Sequence, residues 1–166
     1  MDGSVSSQFI SALLLISPRL PKGLVIEFTN ELTSKPYVDM TLKMMQEFRV
    51  YGQWHDNLIS VSPQNYYIKS DPGYKYKVEA DWSSASYWYA MCALAKDCNF
   101  FIRGLKRPSL QGDGIVSDMF TFFGLKSEYS DNGIQITKTK LKAEHIGFDF
   151  SDCPDLVRSE ERRVGK

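Results

Sequence analysis

Hydrophobic positions along this chain fall into two kinds of run. The first is apolar nearly all round: FISALLLI from Phe9 to Ile16, and YWYAMCALA from Tyr87 to Ala95. Such a pattern predicts helices buried on every side. The second kind is amphipathic. Val38, Leu42 and Met45 share one helical face while Asp39, Lys43 and Gln46 share the other, and Ile115, Met119 and Phe122 repeat the pattern. YKYKVEA alternates Tyr74, Tyr76 and Val78 with Lys75, Lys77 and Glu79, the period of a half-buried closing strand.

These runs recur in one order. VSSQFISALLLIS lines up with WSSASYWYAMCALA, setting Ser6 on Ser83, and KMMQEFRV lines up with DMFTFFGL, setting Phe48 on Phe123. EFTN corresponds to FIRG, and NLISV to GIQIT. The offsets lie between 75 and 77 residues, and the repeating unit reads helix, strand, helix, strand, strand. Gly124 stands where a helix ends in the left-handed conformation, whereas Arg49 holds that place in the first unit. A positive φ at Arg49 should cost about 1 kcal/mol. A third junction begins at GFDFSDCPDLV, but RSEERRVGK follows, with six charged residues in nine, and cannot supply another apolar helix. The expectation is two units, 1–79 and 80–157, from a longer repeat protein, with 158–166 a disordered charged tail.

Composition narrows the function classes. Twenty basic residues balance twenty acidic ones across 166 residues, for a formal net charge of zero. No block of like charge suggests a nucleic acid partner. Cys92, Cys98 and Cys153 lack metal-ligand spacing and read as small buried residues of a reducing compartment. Phe9–Ile16 falls far short of the roughly 20 residues that span a bilayer. Asp2 replaces the basic start of a signal peptide. The expectation is a soluble cytoplasmic protein without a membrane partner. His55 and His145 flank no ligand pattern and read as surface histidines. GLKRPSLQGDG lacks the GK[ST] ending of a phosphate loop. Asp81 reads as the cap of the second apolar helix.

The serines before the first apolar helix admit two roles. Ser6 and Ser7 suit helix capping, and exposed N–H groups with the helix dipole also suit an anion. Ser34 precedes Pro36, which fits a helix start because proline lacks the N–H that would be orphaned there.

DGSVSSQFISALL, TSKPYVDMTLKMMQEF, VEADWSSASYWYA and SLQGD, in that order, resemble the middle of the 5-enolpyruvylshikimate-3-phosphate synthase family. The resemblance runs from Asp2 to Leu156 and covers only the central part of the family's length. It implies an inside-out α/β repeat fold of the enolpyruvyl transferase type, in which this chain holds about two of six units. It implies transfer of enolpyruvyl from phosphoenolpyruvate to shikimate-3-phosphate, with release of phosphate and no metal or organic cofactor. By the same resemblance, Ser6, Ser7 and Ser34 hold the 3-phosphate, Gln8 reaches the substrates and Tyr37 lies beside the shikimate ring. Asp155 binds the shikimate hydroxyls and moves protons, work that needs a carboxylate within hydrogen-bond reach. A full-length protein would be a monomer, and the basic groups that grip phosphoenolpyruvate fall outside this stretch. Local readings stay open: Ser34 as a plain cap, Tyr37 as a core aromatic, Asp155 as a first-turn acid. A nucleotide-sugar enolpyruvyl transferase shares the fold, but SSQF and SKPY argue against it. A non-catalytic phosphate-ester binding module is the alternative from another class.

Overall fold

Ser6 opens the first helix, α1 (Ser7–Ile16), its side chain accepting from the Gln8 N–H at 3.4 Å. Ile10 and Leu14, one turn apart, supply its buried stripe. The Ser17 hydroxyl donates to the Leu14 carbonyl at 2.6 Å, and Pro18 follows in a 3-10 turn, Ser17–Arg19, where the helix stops. Then come β1 (Leu24–Glu27), α2 (Lys35–Glu47), β2 (Gly52–His55) and β3 (Leu58–Val61). The second unit repeats the order as α3 (Trp82–Leu94), β4 (Asn99–Arg103), a 3-10 turn Gly112–Ile115, α4 (Val116–Phe122), β5 (Leu125–Ser130) and β6 (Gly133–Lys138). A last 3-10 turn spans Pro154–Val157. This computed structural model describes residues 1–3, 6–32, 35–68, 73, 75–141, 147–148, 150 and 153–157. Residues 158–166, His145 and Ser34 lie outside that set.

The chain divides into two compact units, Met1–Lys75 and Tyr76–Lys166. Each holds a three-stranded antiparallel sheet whose last strand in sequence lies in the middle, β1-β3-β2 and β4-β6-β5. The registers match. Ile26 faces Ile59 as Ile102 faces Ile134, and Leu24 faces Val61 as Phe100 faces Ile136. Two-residue turns, Asp56–Asn57 and Asp131–Asn132, close the hairpins 75 positions apart. The Phe28 N–H donates to Asn57 at 2.8 Å, and the Gly104 N–H donates to Asn132 at the same distance. Each core lies between a sheet and its two helices. Ile10, Leu14, Val38, Leu42 and Met45 meet Ile26, Ile59 and Val61 in one, so the face expected of α2 is the buried one. Trp82, Ala85, Tyr89 and Val116 meet Leu125, Ile134 and Ile136 in the other.

Several expectations change. The apolar helices are not covered all round: Phe9 is 65% exposed on α1 and Leu94 89% exposed on α3. One sheet and one neighbouring helix cover only part of a helix's circumference. The buried stripe of the second amphipathic helix is Val116 and Met119, while Ile115 and Phe122 are exposed. Ile115 belongs to the preceding 3-10 turn, whose tighter winding shifts the phase. Residues 75–80 form no ladder among the described residues, and Val78 is 72% exposed. Alternation makes a strand only where a neighbour takes up its N–H and C=O groups; Tyr74 lies outside the described set. The caps Ser6 and Asp81 set the offset between leading helices at 75, so Ser6 corresponds to Asp81 and Ser83 falls inside α3. Cys92 and Cys98 are joined in a disulfide, and Cys153 is a buried cysteine outside it. A short link brings the end of α3 beside the start of β4, with the two Cα atoms 5.4 Å apart, inside the span a disulfide needs. His55 is exposed, as its setting suggested.

Arg49 and Gly124, 75 positions apart, both adopt a positive φ, 59° and 75°. The Arg49 guanidinium lies 4.5 Å from the centre of the Tyr67 ring, a contact that offsets part of the strain. A Cβ on Gly124 would meet the Thr139 carbonyl oxygen at 2.9 Å. Gly124→Ala should therefore destabilise the chain by about 1–2 kcal/mol, from the left-handed penalty before the clash is added. Urea unfolding of Gly124→Ala beside Arg49→Ala checks this, with the smaller effect expected at Arg49.

Tyr89 is fully buried, its hydroxyl 2.7 Å from the Ser127 hydroxyl. Burial pushes its pKa up to about 12, against a smaller opposing effect of the Ser127 hydrogen bond. The folded state thus holds the neutral phenol longer than the unfolded chain, in which it ionises near 10. Its contribution is complete below pH 10 and is lost as pH rises towards about 12. Tyr89→Phe should flatten the fall of unfolding free energy across that window, measured by denaturant melts at stepped alkaline pH.

Candidate functional site

The first unit brings two helix starts together through the backbone that precedes them. The Met1 ammonium donates to the Glu27 carbonyl at 2.7 Å, and the Thr29 N–H donates to the Met1 carbonyl at 2.9 Å. The Gly3 N–H donates to Asn30 Oδ1 at 2.5 Å. Gly3 lies so close to this segment that a Cβ would stand 2.7 Å from the Asn30 and Glu31 carbonyl oxygens. Residues 1–3 therefore run beside residues 27–31. Three residues beyond Gly3, Ser6 caps α1; four residues beyond Glu31, Lys35 opens α2. Further along, the Thr41 hydroxyl lies 2.8 Å from Ser11 Oγ and 2.9 Å from the Tyr37 carbonyl oxygen, which pins the helices to each other.

Four of the candidate residues thus lie at one end of the first unit. Ser6 and Gln8 are exposed, Ser7 is half-buried, and Tyr37 is half-buried in the first turn of α2. Ser34 precedes that turn in sequence and lies outside the described residues. N–H groups in the first turn of a helix have no partner within it, and the dipole adds about half a positive charge there. Lys35 pairs with Glu31 at 3.1 Å on the exposed rim. It also edges a cleft of about 220 Å³ walled by Phe28, Asn30, Trp54 and Asn57, room for a small polar group. Asp155 belongs to the second unit, in the turn Pro154–Val157, beside Leu156 on the second core.

The second unit solves the same problem with carboxylates. Asp81 caps α3, accepting from the N–H groups of Ser83 at 3.0 Å and Ser84 at 3.2 Å, and from the Ser84 hydroxyl at 2.5 Å. The Ser84 hydroxyl, followed by the backbone N–H groups, holds the Asp81 carboxyl below its ordinary range, although partial burial pulls the other way. Asp113, almost fully buried, accepts from the Ser83 hydroxyl. Glu79 accepts from the Trp82 indole N–H at 2.9 Å, the Lys106 N–H at 3.0 Å and the Ser109 hydroxyl at 2.9 Å. Gln111 accepts from the Trp82 N–H at 2.9 Å and donates to the Ala80 carbonyl at 2.8 Å. The loop 104–114 is thereby clamped over the start of α3.

Sequence reasoning found Asp81 and missed Glu79, Gln111 and Asp113. The available signal was QGD thirty residues after a Glu-x-Asp cap, but pairing the two stretches requires the sheet that brings them together. Arg107 of that loop forms a two-pronged pair with Asp118, at 2.8 and 3.0 Å, and also donates to the Tyr129 hydroxyl at 3.0 Å. No cluster of metal-ligating side chains occurs among the described residues, and no described helix is long and apolar enough to cross a membrane.

Comparison with known proteins converges on one family. The family model described as EPSP synthase (3-phosphoshikimate 1-carboxyvinyltransferase) matches residues 1–158. A 3-phosphoshikimate 1-carboxyvinyltransferase of Bacteroides fragilis strain YCH46 is 41% identical over 160 residues, covering 96% of this chain and 38% of that protein. Proteins of the same name from Psychromonas ingrahamii and Clostridium beijerinckii are 40% and 37% identical over 95% of this chain. These cover 36% and 35% of those relatives, so the chain spans little more than a third of their length. Since that family model matches residues 1–158 of the 166, this chain belongs to the EPSP synthase family.

Proposed function

We propose that this chain is the central part of an enzyme that transfers the enolpyruvyl group of phosphoenolpyruvate to shikimate-3-phosphate and releases phosphate. What supports the reading most is the pairing of residues 1–3 with 27–31, which leads two helices to one end of the first unit. Ser6 and Ser7 begin one helix, and Ser34 stands directly before the other. Hydroxyls and N–H groups from two such starts can share one phosphate, as anions favour these positions. Gln8 then reaches the substrates, and Tyr37 lies along the shikimate ring. Asp155 binds the shikimate hydroxyls and accepts the proton of the hydroxyl that attacks. Residues 1–79 close the first domain of the whole enzyme and 80–157 open the second. The reading is of a monomeric cytoplasmic enzyme that needs neither metal nor organic cofactor.

Two highly charged substrates demand cations as well as dipoles, and in this reading those cations come from outside the chain. The 166-residue chain should therefore release no phosphate from the two substrates, measured with a colorimetric phosphate assay. Turnover by this chain alone would contradict the reading. In a protein extended to the length of the Bacteroides fragilis relative, Ser7→Ala or Ser34→Ala should each raise KM for shikimate-3-phosphate about ten- to a hundredfold, as for a lost hydrogen bond to a charged group. Thermal melts of the same variants should shift by no more than a lost cap allows, about 1 kcal/mol. Lost stability with unchanged KM would reduce the serines to caps.

A further inference from the structure

Cys92, near the end of α3, and Cys98, just before β4, are held together by more than the bond between their sulfurs. Lys138, the last residue of β6, touches both. Its N–H donates to the Cys98 carbonyl at 3.0 Å, and its ammonium donates to the Cys92 carbonyl at 3.3 Å and to that of Ala93. The Trp88 ring of α3 stacks on Phe100 of β4, with centroids 4.9 Å apart. Asn99 stands opposite Thr137 in the ladder directly beyond. These ties belong to the helix and the sheet, so the two thiols stay neighbours when the disulfide opens. The Cys98 sulfur also lies 3.9 Å from the Ile136 carbonyl oxygen. A disulfide sulfur carries no proton to donate, whereas a thiol at that place has an acceptor at hand.

The two sulfurs differ in access. Cys92 is 7% exposed within the second core, while Cys98 is half-buried at its edge, directly after the exposed Lys96 and Asp97. We infer that Cys92 and Cys98 form a reversible redox site, a dithiol where thiols are kept reduced and a disulfide on oxidation, with Cys98 the sulfur that outside thiols attack. Opening begins when one thiolate of a reducing dithiol bonds to the Cys98 sulfur. The S–S bond breaks, and its electron pair leaves on the Cys92 sulfur, which takes up a proton. The second thiolate of the dithiol then attacks the reductant's own sulfur in the mixed disulfide. Cys98 departs, takes up a proton, and the reductant closes its own disulfide. Two electrons and two protons have reached the site. Closing reverses these steps, with a disulfide such as oxidised glutathione as the oxidant. The Lys138 ammonium on the Cys92 carbonyl puts a cation beside the residue that leaves as thiolate. Once closed, the bond ties α3 to β4 across a separation of six residues and restricts the unfolded chain.

The test uses the unaltered chain, equilibrated in glutathione buffers of stepped ratio and then alkylated. Its peptides are mapped by mass, so that Cys92, Cys98 and Cys153 are read separately. Cys92 and Cys98 should lose alkylation together, in one two-electron transition, and regain it when dithiothreitol is added without denaturant. Far-UV circular dichroism should be the same in both forms, and the oxidised form should melt about 5–10 °C higher. Ellman's reagent should label Cys98 in Cys92→Ser about tenfold faster than Cys92 in Cys98→Ser, since thiol reactivity follows exposure. If either serine variant fails to fold, timed iodoacetamide labelling of the reduced unaltered chain, read peptide by peptide, makes the same comparison. Cysteines that stay alkylatable in every buffer, a bond to Cys153 instead, a disulfide that opens only in denaturant, or loss of the dichroism on reduction would each overturn the inference. Equal labelling rates, or a faster Cys92, overturn the assignment of Cys98 as the attacked sulfur.

Discussion

The first-turn N–H groups of a helix must find acceptors, and much of this chain's local structure is arranged to supply them. At α1 the acceptor within the chain is a serine oxygen with a long bond to Gln8. At α3 it is a full carboxylate, backed by Gln111 on the Trp82 N–H. A hydroxyl leaves the positive end of the helix dipole uncompensated, whereas a carboxylate neutralises it. One scaffold therefore carries a hydroxyl cap at the first helix of its first copy and a carboxylate cap at that of its second. The difference lies in which oxygen stands at the cap.

What delivers those ends to useful places is the sheet. In each unit the last strand to be made lies in the centre, so the first strand pairs with a hairpin that follows it by about thirty residues. The hairpin turn then reaches back to the loop after the first strand. Phe28 and Asn57 exchange two hydrogen bonds, the Asn57 side-chain amide donating to the Phe28 carbonyl at 3.0 Å. That loop leads directly into α2. The same closure at Gly104 and Asn132 fixes the start of the loop that covers α3. Register thus governs chemistry at a distance: Ile26 opposite Ile59 sets where the residues before α2 can stand. A slip of one residue would turn the buried isoleucines to the outer face.

The apolar helices show how far a repeat unit can bury itself. Ile10 and Leu14 on α1, like Ala85 and Tyr89 on α3, use the face turned to the unit's own sheet. Their outer faces carry Phe9, Ile16, Tyr87 and Leu94, all exposed. Residues of that kind at those positions are a surplus for a single unit, and the surplus is what made the helices look wholly buried from sequence. Hydrophobicity reports the total demand for cover; the cover within one unit meets only part of it.

The sequence by itself determined the order of elements, the repeat near 75 residues, the stripe of α2, the cap at Asp81 and the left-handed turn at Arg49. The stripe and the cap are written in neighbours a few positions apart, and the turn at Arg49 in its alignment with Gly124, a residue type with a strong backbone preference. Tertiary structure decided the rest. It placed residues 1–3 against 27–31, which brings two helix starts to one end though their serines lie far apart in the chain. It bound Glu79 to Ser109 and Asp113 to Ser83, pairs about thirty residues apart whose meeting depends on the sheet between them. It also shifted the phase of α4 through a 3-10 turn, and left residues 75–80 outside any sheet ladder among the described residues despite their alternation. Helix caps and stripes need only local geometry, whereas a site built from two loops exists only after long-range hydrogen bonds have fixed both.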